Sequence, residues 1–173
     1  AVRYGNVMGS RGSVIPFFLN RKEEYLPITH KDMTRFNISL DEGVNFVISS
    51  FELMWGGELF VPKLPSYRIL DLAEAIAPKK KTKIIGIRPG EKVHEEMITV
   101  SDAINTIEFE KYYVILPSVK NWQTEDFRKK SSSKTGRFCK EDFSYNSGTN
   151  SVFLSVSELI SLIKENKDLM ESA

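Results

Sequence analysis

The sequence predicts an α/β fold, and three observations support this prediction. Apolar runs typical of β-strands alternate along the chain with segments in which apolar residues recur at helical spacing. Two of the helical segments begin with a Ser-x-x-Glu capping box, at Ser39 and at Ser155. The 173 residues, 41% hydrophobic and 27% charged, are sufficient for an ordinary domain with a buried core.

The predicted elements are separated by turn residues. Pro16 fits the first turn of a helix, where its missing N–H leaves no hydrogen bond unmade, and Gly56 and Gly57 end a later helix. In chain order we expect a short strand (1–8), a glycine turn (9–13), a helix capped by Ser13, an extended segment (24–38), a helix (39–55), a strand (58–62), a helix (66–77), a strand (83–87), a short helical piece (91–98), a strand (112–117), a polar loop (about 120–150) and a last helix after Ser155.

The composition argues against several classes of function. A net charge of +1 gives no bulk attraction to nucleic acid or to a membrane surface, and no apolar run approaches the roughly 20 residues of a membrane helix. The two histidines and Cys139 are scattered, so we expect no metal site. A single cysteine, with no basic and apolar leader before it, favours a reducing compartment, and we expect the protein in the cytoplasm.

The opening stretch GNVMGSRGSVIP contains three glycines, Gly5, Gly9 and Gly12, and admits three interpretations. A dinucleotide-binding loop needs an acidic residue about 20 positions later, and Asp32 has this spacing but no clear strand beside it. A tight turn between a strand and a helix needs glycines only for backbone freedom. An anion site would use the free N–H groups at the helix start, with Arg11 adding positive charge.

Two further arginines lie where an α/β sheet binds its ligands. Arg35 ends an extended segment and Arg88 ends an apolar strand, and ligands of such sheets bind where strands meet turns. Each guanidinium can grip a phosphate through two parallel hydrogen bonds, although a surface ion pair is the commoner role of an isolated arginine. We expect Arg35 and Arg88 to converge with the glycine turn on one diphosphate.

Five motifs in a fixed order carry a resemblance to a known family. They are VRYGNVMGSRGSVIPFF, ITHKDMTRF, IIGIRPGEKVHEEMI, YYVILPS and FSYNSGTN. Together they resemble the C-terminal half of the inverting UDP-N-acetylglucosamine 4,6-dehydratases, extended short-chain dehydrogenases/reductases of pseudaminic-acid biosynthesis. The resemblance covers nearly all of the chain. It implies the C-terminal part of a Rossmann-like fold with the smaller substrate-binding subdomain, divided into residues 1–62, with the last Rossmann-type elements, and residues 63–173, which bind the UDP-sugar.

The resemblance implies a hydro-lyase that acts on UDP-N-acetylglucosamine with NADP or NAD. A hydride leaves C4 of the sugar, the 4-ketone acidifies the C5 hydrogen, and water is lost across C5 and C6. The hydride then returns to C6, and C5 is protonated on the opposite face, which gives the 4-keto-6-deoxy sugar of L-arabino configuration. Such enzymes are cytoplasmic homo-oligomers whose product enters polysaccharide biosynthesis and flagellin glycosylation.

The resemblance also implies which residues of this chain contact the ligands. Carried over motif by motif, they are Tyr4 (mainly its backbone) and Asn6 beside the nicotinamide and the sugar, Arg11, Ser13 and Val14 along the UDP site, Arg35 at the pyrophosphate, and Arg88 and Glu91 at phosphate and ribose.

The chain departs from the family in one respect. It contains neither the GxxGxxG cofactor fingerprint nor the catalytic Tyr-x-x-x-Lys, because no tyrosine has a lysine four positions later. We therefore expect a fragment without catalytic residues, which is inactive alone and leaves the cofactor mainly to a missing N-terminal half. The alternatives are a related capsule-sugar dehydratase or epimerase and a non-catalytic module that binds nucleotide sugars.

Overall fold

The structure, a computed structural model, describes residues 1–10, 12–130 and 135–166. Its helices are α1 (Val14–Leu19), α2 (Leu40–Leu53), α3 (Ile69–Ile76), α4 (Val100–Ala103), α5 (Thr124–Lys130) and α6 (Val156–Glu165). Its strands are β1 (Asn6–Val7), β2 (Tyr25–Ile28), β3 (Thr34–Ile38), β4 (Leu59–Pro62), β5 (Ser66–Arg68), β6 (Lys81–Ile84), β7 (Glu96–Ile98), β8 (Thr106–Glu108), β9 (Tyr112–Ile115), β10 (Arg137–Phe138) and β11 (Tyr145–Asn146). The mixture of helices with parallel and antiparallel strands confirms the predicted α/β class.

The chain forms two compact units, each built from three separate segments. The first unit comprises Ala1–Tyr4, Leu40–Lys63 and Glu96–Asn146. The second unit comprises Gly5–Ser39, Leu64–Glu95 and the residues from Ser147 onward. The chain thus passes between the units several times, whereas the division expected from the resemblance was a single one after residue 62.

The first unit is organised around an antiparallel sheet of four strands. Their order is β10-β8-β9-β4, and Phe60 of β4 stands opposite Val114 of β9. The side chains of Phe60, Val114, Ile107 and Phe127 form its core and are almost completely buried. A second, two-stranded sheet pairs β7 with β11. This unit is therefore held together by pairings between segments far apart in the sequence.

The second unit has a three-stranded and a two-stranded sheet, each including a parallel pair. In the first, β3 lies between β1, to which it is parallel, and β5, to which it is antiparallel. In the second, β2 runs parallel to β6. Helices α1, α3 and α6 pack together over a core that includes Phe18, Leu26, Ile28, Leu72 and Leu159. This arrangement places the end of β1, the glycine turn and the start of β3 within one unit.

Several predicted elements are confirmed. The helix expected over 39–55 is α2, and the strands expected at 58–62 and 112–117 are β4 and β9. The capping box at Ser155 forms as expected, since the Ser155 hydroxyl accepts the Glu158 N–H at 3.3 Å and Glu158 Oε2 accepts the Ser155 N–H at 2.8 Å.

Other predicted elements are wrong. The piece expected to be helical within 91–98 contains β7, an extended segment stabilised by pairing with β11. The helix expected from residue 66 begins at Ile69, because Ser66–Arg68 pairs with β3 instead. The polar loop expected over 120–150 contains α5, β10 and β11. Helix α4 was not predicted, although Thr99 and Asp102 form a capping box at its start and their spacing is visible in the sequence.

Helix α2 has an apolar outer face that the described residues leave exposed. Its inner face buries Gly43 and Ser50, and Phe46 and Leu53 pack against the core of the first unit. The apolar positions that predicted the helix lie on the other side, where Phe51 is 76% exposed. The exposed set is Leu40, Val44, Val47, Ile48 and Phe51. Helical periodicity thus identified the helix but not the face that this chain buries.

The difference between the two faces can be tested by one substitution made at two positions. Phe51→Leu should change the free energy of unfolding by less than about 0.5 kcal/mol, because Phe51 is largely exposed. Phe60→Leu should cost about 1–2 kcal/mol, since it removes core volume at a residue only 1% exposed. Urea unfolding measures both values, and an equal cost for the two would show that the outer face of α2 is covered within this chain.

Candidate functional site

A cleft of about 810 Å³ lies in the second unit, and every residue that lines it belongs to that unit. Its walls come from the end of β1, the glycine turn, helix α1, Arg35 of β3 and the segment from Ile85 to Glu91. The cleft therefore lies where strands give way to turns, the position expected for a ligand site of an α/β sheet.

The cleft brings together most of the residues that the sequence analysis selected. Those that line it are Asn6, Ser13, Val14, Arg35, Arg88 and Glu91. Tyr4 is not among the lining residues; it is 41% exposed and belongs to the first unit. Arg11 lies outside the described residues. Arg35, Arg88 and the glycine turn thus line one cleft, and their convergence on a diphosphate stays a prediction.

The glycine turn has the backbone geometry that its sequence requires. Gly9 and Gly12 have φ angles of 72° and 76°, a region that side-chain-bearing residues rarely adopt. Helix α1, which follows, has only six residues, so few peptide dipoles add up at its start. The buried Ser13 hydroxyl oxygen makes no hydrogen bond with the described residues. The helix start is therefore a weaker anion site than the sequence suggested, and the arginines matter more.

Arg35 is held tightly at the wall of the cleft. Its side chain is only 11% exposed, and its Nε lies 3.4 Å from Glu95 Oε1. Nη1 donates to the carbonyl oxygens of Thr34 at 2.7 Å and of Val93 at 3.2 Å. Arg35 therefore does form an ion pair, the alternative role given for it above, but the pair is largely buried. The Nη2 of Arg35 makes no hydrogen bond with the described residues.

Arg88 occupies a different setting in a turn that Glu91 closes. Glu91 Oε2 accepts the Arg88 N–H at 3.1 Å, and the Glu91 N–H donates to the Arg88 carbonyl at 3.0 Å. Glu91 Oε1 accepts a hydrogen bond from the Thr29 hydroxyl at 3.3 Å. The Arg88 side chain is exposed and forms no ion pair with a described residue. Glu91 therefore shapes the turn that carries Arg88.

Tyr67 is a cleft residue that the sequence analysis did not select. It stands opposite Arg35 in the pairing of β5 with β3 and is only 3% exposed. Burial raises the pKa of Tyr67 to about 12, although the nearby Arg35 acts in the opposite direction. Tyr67 was not selected from the sequence because it has no lysine four positions later. Its place in the cleft follows from the register of β3 and β5, which pairs it with Arg35.

The shifted tyrosines are poorly suited to proton transfer. Burial raises the pKa of Tyr112 to about 12 and also raises the pKa of Tyr113. A phenol that exchanges a proton at neutral pH needs its pKa moved down towards 7.

The described residues contain no group of His, Cys, Asp and Glu side chains arranged to hold a metal ion. None of the helices among them combines the length and apolarity needed to cross a membrane.

The pKa of Tyr67 predicts how stability depends on alkaline pH. Because the folded-state pKa lies above the value of the unfolded chain, the stabilisation is complete below pH 10 and is lost as pH rises towards about 12. The loss at this one site is about 2–3 kcal/mol. Urea unfolding at pH 9 to 12 should show a shallower decline for Tyr67→Phe than for the unsubstituted chain. Identical declines would place the Tyr67 phenol in water.

A cleft that combines a glycine turn with arginines where strands meet turns is characteristic of α/β proteins that bind phosphorylated ligands. Three arginines line this cleft, Arg21, Arg35 and Arg88, and the Nε of Arg21 lies 2.9 Å from Glu23 Oε2. The chain belongs to the polysaccharide biosynthesis protein family, whose model matches residues 1–117. Its fold is the C-terminal part of an extended short-chain dehydrogenase/reductase fold.

The chain is similar to several proteins over much of its length. It is 50% identical over 169 residues to the inverting UDP-N-acetylglucosamine 4,6-dehydratase of Campylobacter jejuni. This alignment covers 95% of this chain and 51% of that enzyme. It is 43% identical over 119 residues to a UDP-glucose 4-epimerase of Rickettsia canadensis, covering 65% of this chain and 35% of the epimerase. The X-ray structure of Pen from Bacillus thuringiensis matches 96% of this chain and 49% of its own, at 30% identity and a TM-score of 0.78.

The matched region is about half of the dehydratase and of Pen, and about a third of the epimerase. The chain spans 51% of the Campylobacter dehydratase and 49% of Pen. The identity to the dehydratase extends past residue 117, since its alignment includes 169 residues and the family match ends at 117.

Proposed function

We propose that this chain is the nucleotide-sugar-binding, C-terminal part of a UDP-N-acetylglucosamine 4,6-dehydratase that inverts C5. The observation that carries the proposal is the shared cleft, which Arg35, Arg88 and the glycine turn all line. The 50% identity to the Campylobacter dehydratase over 95% of this chain supports the choice of substrate. The product would be the 4-keto-6-deoxy sugar that leads to pseudaminic acid and flagellin glycosylation.

The cleft offers a diphosphate two guanidinium donors of different character. Arg35 is largely buried, where water screens its charge less, and Arg88 is exposed and unpaired among the described residues. Each charged hydrogen bond contributes about 1.5–3 kcal/mol. We therefore propose that Arg35 and Arg88 provide most of the affinity for the diphosphate. The other residues proposed to contact the ligand are Asn6, Ser13, Val14 and Glu91, which line the same cleft, and Arg11, which precedes Ser13 in the sequence.

Apolar side chains form much of the remaining wall of the cleft, next to the polar residues Asn20, Arg21, Glu23 and Thr29. Pro16, Phe17, Met33, Ile69 and Ile85 line it beside the polar groups. A pocket of this kind fixes the orientation of a ligand through few polar contacts and buries the rest against apolar side chains. We propose that these side chains pack against the uracil and the sugar while the arginines hold the diphosphate.

The residues of this chain do not fit a complete cofactor site. The sequence has no GxxGxxG turn and no Tyr-x-x-x-Lys, and α1 is too short for a strong pyrophosphate site at its start. Of the two residues expected beside the nicotinamide, only Asn6 lines the cleft. We propose that NADP or NAD is held mainly by the other half of a homo-oligomeric, cytoplasmic enzyme, so that this chain binds substrate without turning it over.

The second candidate is the epimerase activity of other relatives, and one observation favours it. The UDP-glucose 4-epimerase of Rickettsia canadensis shares 43% identity, close to the value for the dehydratase. That match covers 65% of this chain, however, against 95% for the dehydratase. The dehydratase is therefore the first proposal. A non-catalytic binding module would use the same cleft without any partner half.

Removing either guanidinium should weaken UDP binding. Arg35→Met or Arg88→Met should raise the Kd for UDP by about 10- to 100-fold, because each deletes a charged hydrogen bond to phosphate. Isothermal titration calorimetry of the 173-residue chain measures this, with Arg137→Met as control, since Arg137 is exposed on β10 in the first unit. Unchanged UDP affinity in both cleft variants would refute the proposed site.

Activity should require the half that relatives possess outside the matched region. Mixing this chain with the unmatched half of the Campylobacter dehydratase, plus NADP, should consume UDP-N-acetylglucosamine and form a 4-keto-6-deoxy sugar, followed by NMR. The chain alone should show neither change. Formation of a C4 epimer without loss of water would favour the epimerase, and turnover by the chain alone would contradict the assignment of the catalytic groups to the other half.

A further inference from the structure

Four polar residues to which the proposed function gives no direct role lie close together in the second unit. They are Thr34, His94, Glu95 and Ser147. The Thr34 hydroxyl lies 2.8 Å from His94 Nδ1 and 2.7 Å from the Ser147 hydroxyl. The Ser147 hydroxyl accepts the Glu95 N–H at 2.9 Å. Four residues from three distant parts of the chain thus form one hydrogen-bonded network.

The network aligns two dipeptides with each other. The Thr34 N–H donates to the Val93 carbonyl at 3.0 Å, so the segment after Val93 lies alongside the start of β3. His94 then contacts Thr34, and Glu95 contacts the Nε of Arg35 at 3.4 Å. The same Val93 carbonyl also accepts from Arg35 Nη1. Backbone and side-chain contacts therefore set the position of the guanidinium together.

Ser147 and Gly148 close the network from behind. The Ser147 N–H donates to the Glu95 carbonyl at 2.8 Å, and Ser147 and Thr34 are 0% and 4% exposed. A Cβ on Gly148 would lie 2.5 Å from His94 Nδ1, so only glycine permits this approach. The segment from 93 to 95 is thus clamped between β3 and the Ser147 turn.

We propose that Glu95 is the positioning residue for Arg35, and that His94, Thr34 and Ser147 hold the backbone from which it acts. This inference rests on the proposed binding of a diphosphate in the cleft. With Nε and Nη1 engaged by Glu95 and by carbonyl oxygens, Arg35 has Nη2 as its donor for the ligand. Glu95 acts through Arg35 rather than by touching the substrate.

Physical chemistry favours such an arrangement. A free arginine loses several rotatable bonds when it binds a phosphate, whereas one already fixed by a carboxylate loses less. The neighbouring Glu95 also offsets part of the positive charge, so the gain comes from orientation more than from charge. Arg88 has no corresponding ion pair among the described residues, so the two arginines should respond differently to loss of a carboxylate.

The test compares two neighbouring carboxylates. Glu95→Gln should raise the Kd for UDP about 3- to 10-fold while leaving the Kd for uridine unchanged, because uridine has no phosphate for Arg35 to hold. Glu96→Gln is the matched control, since Glu96 is exposed and forms no ion pair with a described residue. NMR titration of the 173-residue chain with UDP and with uridine measures both, and thermal melts verify that the variants fold.

A double-mutant comparison of Glu95 and Arg35 distinguishes a positioning role of Glu95 from a general effect on the structure. In an Arg35→Met background, Glu95→Gln should have no further effect on UDP affinity. Equal weakening with or without Arg35, or equal weakening of uridine, would overturn the inference. The Nε–H resonance of Arg35 should change its chemical shift in Glu95→Gln, since Glu95 Oε1 lies 3.4 Å from Nε.

These readouts also separate two kinds of failure. If the unsubstituted chain binds no UDP, the proposed function fails. If it binds UDP and Glu95→Gln changes neither the affinity nor the Arg35 resonance, only the positioning role fails.

Discussion

The ion pair between Arg35 and Glu95, with 3.4 Å between Nε and Oε1, holds the guanidinium of Arg35 in the wall of the cleft. The guanidinium is largely buried, so its position depends on the protein groups around it rather than on water. Glu91 has a parallel role four residues earlier, since it closes the turn that carries Arg88. The motif RPGEKVHEE therefore supplies one arginine of the site and two carboxylates that shape its surroundings.

Local sequence signals predicted part of the fold because local interactions determine those parts. Strands β4 and β9 are apolar runs bounded by turn residues, and the box at Ser155 is complete within four residues. Strand β7 was predicted as helical because its three residues are extended only through pairing with β11, about 50 positions later. The exposure of the outer face of α2 could not be predicted, because periodicity identifies an apolar face and not what covers it.

Arg35 and Arg88 were selected from the sequence as the ends of extended segments. In the structure Arg35 is instead the second residue of β3, and Arg88 lies in the turn after β6, yet both line the cleft. Their role in binding a ligand stays a prediction. Glu95 was not selected from the sequence, because on the helical piece expected over 91–98 it would point about 100° away from Glu96. The segment is instead extended, where alternate side chains face opposite directions, so Glu95 reaches Arg35 while Glu96 faces solvent. Tyr67 was missed for the same reason, since only strand pairing places it opposite Arg35.

Arg35, Arg88 and the glycine turn are proposed to form one diphosphate site, and a crystal structure of this chain with bound UDP would show whether they do. We expect phosphate oxygens within hydrogen-bonding distance of the guanidinium groups of both Arg35 and Arg88, and Glu95 still paired with Arg35. Density for UDP outside this cleft, or a diphosphate that contacts neither guanidinium, would contradict this proposal.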